Sequence, residues 1–98
     1  MLMQKIADAI RSHRTISLWY NGGMRVVEPH CCGYGTDDQG LLRCWHVSGH
    51  SQSQREPWWR LFRLDGITDC TEGDVFEGTR PKYNHLNDPA IKRVVAKL

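Results

Sequence analysis

At 98 residues with a net charge of +2, 40% hydrophobic and 24% charged residues, the chain is sized for one globular domain, and its composition excludes both a disordered segment and a polycation that coats nucleic acid by charge alone. No apolar run approaches the ~20 residues of a membrane span, and "MLMQKIADAIRSHR" interrupts its apolar pattern with charges, unlike a signal peptide; a cytoplasmic protein without membrane contact is the expectation. Arginine outnumbers lysine among the cations, which suits planar contact with phosphate, carboxylate or aromatic rings.

From Leu2 to His13 the apolar residues Leu2, Ile6, Ala9 and Ile10 recur at helical spacing, with Gln4, Lys5, Asp8 and Arg11 opposite; this predicts an amphipathic entry helix. "TISLWY" then alternates with period two, and Asn21-Gly22 follows at once, a strong hairpin signal because both residues tolerate positive φ. "MRVVEPH" is the return strand, and Pro29 restricts it to a sheet edge or a bulge. After the turn region "GYGTDDQG", "LLRCWHVSGH" reads as a third strand, "SQSQREP" as a polar loop, "WWRLFRL" as a fourth strand and "DGITDCT" as a short fifth.

In "NDPAIKRVVAKL", Asp88 has the chemistry of an N-cap and Pro89 that of a first helical residue, with Ile91, Val94, Val95 and Leu98 as an apolar stripe. A closing helix over 87–98 is the expectation. Short strands, apolar in part on both faces, predict a curled or closed antiparallel β-barrel of about five strands between two helices, mainly β in an α+β composition. The whole is one domain over 1–98, with the barrel core and its entry helix over 6–71.

These pieces resemble the WYL domain, a small Sm-like β-barrel found mostly in bacterial transcription regulators and phage-defence proteins. The resemblance spans about Ile6 to Thr71. It rests on "AIRSHRTISLWY", "RVVEP", "LLRCWHVSGH" and above all "WRLFRLDGI". The name motif Trp-Tyr-Leu is here Trp45-His46-Val47, and Gly66 stands where the family pattern has a basic residue. A regulator of this family also commonly carries a helix-turn-helix, and only one helix precedes the first strand here. The expectation is a stand-alone module, a fragment of a regulator, or a subunit acting on a partner.

The resemblance implies a ligand groove lined by Arg25, Arg60 and Arg63, taking a nucleotide or single-stranded nucleic acid. Tyr20 or Trp45 would serve as a stacking wall, with His46 at the motif position. Exposed rings stack on bases while arginines neutralise phosphates; the competing reading puts Trp58, Trp59 and Phe62 in the core with the arginines reaching to water. His30, Cys31, Cys32, Cys44, His46 and His50 carry zinc-type donors but lack the C-x-x-C spacing of a structural site. Neither a metal nor another cofactor is expected, and Cys31, Cys32, Cys44 and Cys70 are read as free thiols. No nucleophile, base and orienting group have motif spacing, so a non-enzymatic sensing module is expected. Its rival is a protein-interaction or homodimerisation module using the barrel surface or the terminal helix.

Overall fold

The computed structural model describes residues 1–49, 58–83 and 88–98; the predicted loop "SQSQREP" lies outside them, as does His50. The order of elements is α1 (Leu2–Arg11), β1 (Arg14–Tyr20), β2 (Gly23–Tyr34), β3 (Gly40–Gly49), β4 (Trp59–Arg63), a 3-10 turn at Leu64–Gly66, β5 (Ile67–Val75) and β6 (Arg93–Lys97). One antiparallel sheet runs β4-β3-β2-β1-β5, with β6 paired to β2 off that path.

The helix forms as its periodicity dictates, burying Met3, Ile6, Ala7, Ala9 and Ile10 against β2, β6 and β1. The β1–β2 hairpin closes through Asn21 at φ 48° and Gly22 at φ 94°, the left-handed pair that a tight hairpin needs. Its register sets Tyr20 opposite Gly23 and Leu18 opposite Arg25.

β2 organises the sheet. Its first half lies between β1 and β3, and its second half between β6 and β3. The changeover falls at Pro29, where the register with β3 slips between Pro29 and Cys31. Proline sits in this central strand at an irregularity, the one place where its missing N–H leaves no gap in the ladder. The slip also breaks the alternation of side chains, so Pro29, His30, Cys31 and Cys32 are all buried.

The sheet is curled but not closed into a barrel. In a flat sheet β1 and β4 would stand three strand spacings apart, about 14 Å. Yet the Tyr20 ring lies 4.3 Å from that of Phe62, and the Arg63 amide donates to the Tyr20 hydroxyl at 3.3 Å. The two ends meet through side chains, while β4 and β5 form no ladder with each other.

The expected C-terminal helix is absent. The Asp88 carboxylate accepts the Ala90 amide at 3.0 Å, and its carbonyl accepts that of Ile91, but this one turn leads into β6. Valines favour a strand, and so short a segment makes a marginal helix. β2 offers it an edge beyond the end of β1. Gly33 admits the close approach: a Cβ there would collide with the Arg93 carbonyl oxygen. The supposed stripe consequently divides, with Ile91 buried and Val94 46% exposed.

Two cores result. On the helix side, Ile6, Ile10, Ile16, Leu18, Val27, Leu42, Cys44 and Phe62 pack together. On the other side, Cys31, Leu41 and Ile91 form a smaller cluster with Tyr83, beneath an irregular strap over 76–83. β5 extends to Val75, longer than its sequence suggests, and keeps its outer edge polar with Asp69, Glu72 and Asp74.

Candidate ligand-binding site

The expected groove residues do not form one groove. Arg25 is 4% exposed. Its Nε donates to the Tyr20 carbonyl at 3.1 Å and its Nη2 to that of Asn21 at 3.5 Å, while the guanidinium lies 5.4 Å from the Tyr20 ring centre and 5.2 Å from that of Phe62. Burial lowers its pKa, Tyr20 and Cys44 opposing the shift and Arg60 adding to it. Arg25 thus bolts the hairpin to the core, and Tyr20, held between Phe62 and the Arg63 amide, braces the curl. Arg25 is therefore closed to a ligand, while Tyr20 is half-buried and engaged in the curl.

Arg60 and Arg63 lie on opposite faces of β4 because they stand three positions apart on a strand of period two. Arg63 is exposed and pairs with the equally exposed Asp65 at 3.0 Å. Arg60 stands opposite Cys44, donates to the Trp59 carbonyl at 2.9 Å and lies 5.7 Å from the Trp58 ring centre.

Trp45 and His46 do border a shared space. An open pocket of about 590 Å³ is lined by Trp45, His46, Trp58 and Arg80 with the end of β3 at Val47, Ser48 and Gly49. The strand pairing explains it: Trp45 lies opposite Glu28 on β2 and Trp59 on β4, and the His46 amide donates to the Trp58 carbonyl at 2.8 Å. The His46 and Trp58 rings stack at 6.0 Å. Arg80 reaches the pocket from the strap, its guanidinium 5.4 Å from the Trp45 ring centre.

Arg80 is positioned from below. Its Nε and Nη2 donate to the two carboxylate oxygens of buried Glu28 at 2.7 and 2.9 Å, the two-pronged geometry peculiar to arginine. Its own amide donates to His30 Nε2 at 3.1 Å. The other nitrogen, His30 Nδ1, is 2.8 Å from the Glu28 carbonyl oxygen. Since a carbonyl only accepts, the proton resides on Nδ1 and leaves Nε2 as the acceptor. His30 is wholly buried among the rings of Trp59, Phe76 and Tyr83, and burial lowers its pKa against the opposing influence of Glu28. The Tyr83 hydroxyl donates to the His30 carbonyl at 3.0 Å, and Trp59 Nε1 to that of Pro81 at 2.9 Å.

Beyond the strap, Arg43 grips Asp88 at 2.8 and 3.1 Å. Burial raises the Asp88 carboxyl, but Arg43 and the amides of Ala90 and Ile91 outweigh it and hold the group below its ordinary pKa. Burial pushes the Cys31 and Cys32 thiols up to about 11 and raises Cys44 further, so they are poor nucleophiles. All four cysteines are free. Among the described residues no three His, Cys, Asp or Glu side chains gather as metal ligands; the slip at Pro29 sends His30 to the strap while Cys32 and Cys44 join the main core. No helix among those residues is long and apolar enough to cross a membrane.

Besides Val47, Ser48 and Gly49 at the end of β3, Trp58 and Arg80 are pocket residues that the sequence does not assign to the site. "VFEGTRPKY" carried one signal: apolar and aromatic residues in a stretch broken by Gly and Pro belong to a segment that must pack without regular structure. No protein-family model matches the chain, and neither a curated protein nor a solved structure matches it significantly.

Proposed function

We propose that the chain is a non-enzymatic, WYL-like binding module that takes a nucleotide, or the base of a short single strand, into the pocket between Trp45 and Trp58. The observation carrying this reading is the pocket itself: two indoles, an imidazole and a guanidinium border one open space of about 590 Å³, within the ordinary range for small-ligand sites. The rings offer stacking surface, and Arg80, 43% exposed at its side chain, offers a cation that Glu28 holds in place. The resemblance to WYL domains adds the setting, a cytoplasmic component of bacterial transcription regulation or phage defence.

Titration with adenosine monophosphate and with a short oligothymidylate at low salt, followed by tryptophan fluorescence, tests the reading. Binding is expected, with Trp58→Ala costing ~1–3 kcal/mol for a stacked base. Absence of binding by both probes would defeat it.

One observation favours a second reading, a protein-interaction module or homodimer. Trp19 and Met24 face each other across β1 and β2, each 43% exposed, and an exposed tryptophan is a capable anchor for a protein surface. Sedimentation of the parent and of Trp19→Ser distinguishes the two.

A further inference from the structure

Among the described residues, three of the hydrogen-bonded attachments of the strap to the sheet pass through His30 or nearby Glu28, while a fourth, from Trp59 Nε1 to the Pro81 carbonyl, does not. The Arg80 amide ends on His30 Nε2, the Tyr83 hydroxyl on the His30 carbonyl, and the Arg80 guanidinium on the carboxylate of Glu28, whose carbonyl also fixes the imidazole tautomer. The strap in turn brings Arg80 to the pocket wall. Backbone amides near chain turns usually end on carbonyls or water; this one ends on a group whose capacity to accept depends on a single proton.

We propose that His30 is a proton-operated latch: neutral, it holds the 79–83 part of the strap against the sheet, and protonated, it releases that part together with Arg80. Adding a proton to Nε2 replaces an acceptor with a donor facing another donor, the Arg80 amide, and places a new cation beside the Arg80 guanidinium. Among the described residues nothing offers the new N–H an acceptor, although the nearby Glu28 favours the charged ring. On β2, the Glu28 carbonyl is taken by Nδ1 and its carboxylate by Arg80; on the strap, Tyr83 donates to the His30 carbonyl; on β4, Trp59 presents its ring. Phe76 contributes another ring, and the Leu98 amide meets the carbonyl of His30, away from the imidazole. The anchor at the start of the strap, where the Phe76 amide donates to the His13 carbonyl at 2.8 Å, does not involve His30, so release is confined to the distal part. The consequence for binding rests on the pocket reading above: acidification withdraws Arg80 and weakens retention of an anionic ligand. The latch itself does not depend on that reading.

Amide hydrogen exchange of the full chain between pH 8 and pH 5, corrected for intrinsic rates, tests it, with the His30 ring nitrogens followed by ¹⁵N NMR. The Arg80 amide is expected to lose protection by about tenfold per pH unit once the open form binds the proton, while Leu42 in β3 stays protected. In His30→Gln, whose side-chain oxygen can accept but not titrate, Arg80 protection is expected to be flat with pH. Equal protection of Arg80 at pH 8 and pH 5 would overturn the latch, as would a parallel loss at Leu42, which reports global unfolding. If the variant does not fold, the exchange profile of the parent decides alone. Adenosine monophosphate titrated at both pH values reads the functional consequence: weaker binding at pH 5 links latch to pocket. Failure to bind at either pH counts against the pocket reading and leaves the latch to be judged by exchange.

Discussion

Arg25 and Arg80 pose the same chemistry in two environments. Each sets a guanidinium over aromatic rings, Arg25 over Tyr20 and Phe62, and Arg80 over Trp45. Arg25 is sealed in the curl and its described hydrogen bonds end on backbone carbonyls; Arg80 stands at an open pocket with its charge held by Glu28. An arginine beside aromatics is therefore a structural bolt or a pocket wall according to what the rest of the fold leaves open, and the difference is measurable.

The largest expected effect lies at the sealed end. Phe62→Ala removes the ring that carries both Tyr20 and Arg25, and should cost ~3–5 kcal/mol in a denaturant melt. Arg25→Ala should follow at ~1–3 kcal/mol, from two lost hydrogen bonds and a cavity beneath the rings, with ligand affinity unchanged in whatever fraction remains folded. An affinity loss there exceeding that of Arg80→Ala would erase the distinction between the two arginines.

A pH series sharpens the comparison at the strap. The pKa of His30 is lowered by folding, so as pH falls the unfolded chain takes up the proton first. The stability contributed by its neutral form is present above ~6.5, the ordinary histidine value, and is lost as pH falls below it toward the folded pKa, by at most ~1.4 kcal/mol per pH unit. His30→Gln should remove this part of the acid sensitivity. The smallest effect belongs to Arg63. Its pair with Asp65 is exposed on both sides, and Arg63→Ala should change stability by no more than ~0.5 kcal/mol and leave nucleotide binding as in the parent.

How much of this was legible in the sequence follows from the range of the forces involved. α1, the Asn21-Gly22 hairpin and the bulge at Pro29 are local matters of periodicity and backbone preference, and the residues at those positions declare them. β6 was misread because Ile91, Val94 and Val95 fit a helical stripe as well as a strand, and Asp88-Pro89 imitates a helix start. The choice was made elsewhere, by the unpaired edge of β2 and the missing side chain of Gly33. The site was legible only in part for the same reason. Trp45 and His46 were singled out and do line the pocket, but the burial of Arg25 depends on how far the sheet curls. The arrival of Arg80 depends on the strap, whose attachment to His30 and Glu28 has no sequence periodicity to betray it.

The most direct test of the pocket compares Trp58→Ala with Trp19→Ala in the adenosine monophosphate titration. Both tryptophans have solvent access, but only Trp58 borders the pocket. Loss of binding in Trp58→Ala with parental affinity in Trp19→Ala is the predicted result. Parental affinity in Trp58→Ala, or a loss confined to Trp19→Ala, would contradict it and place recognition on the exposed face of β1 and β2.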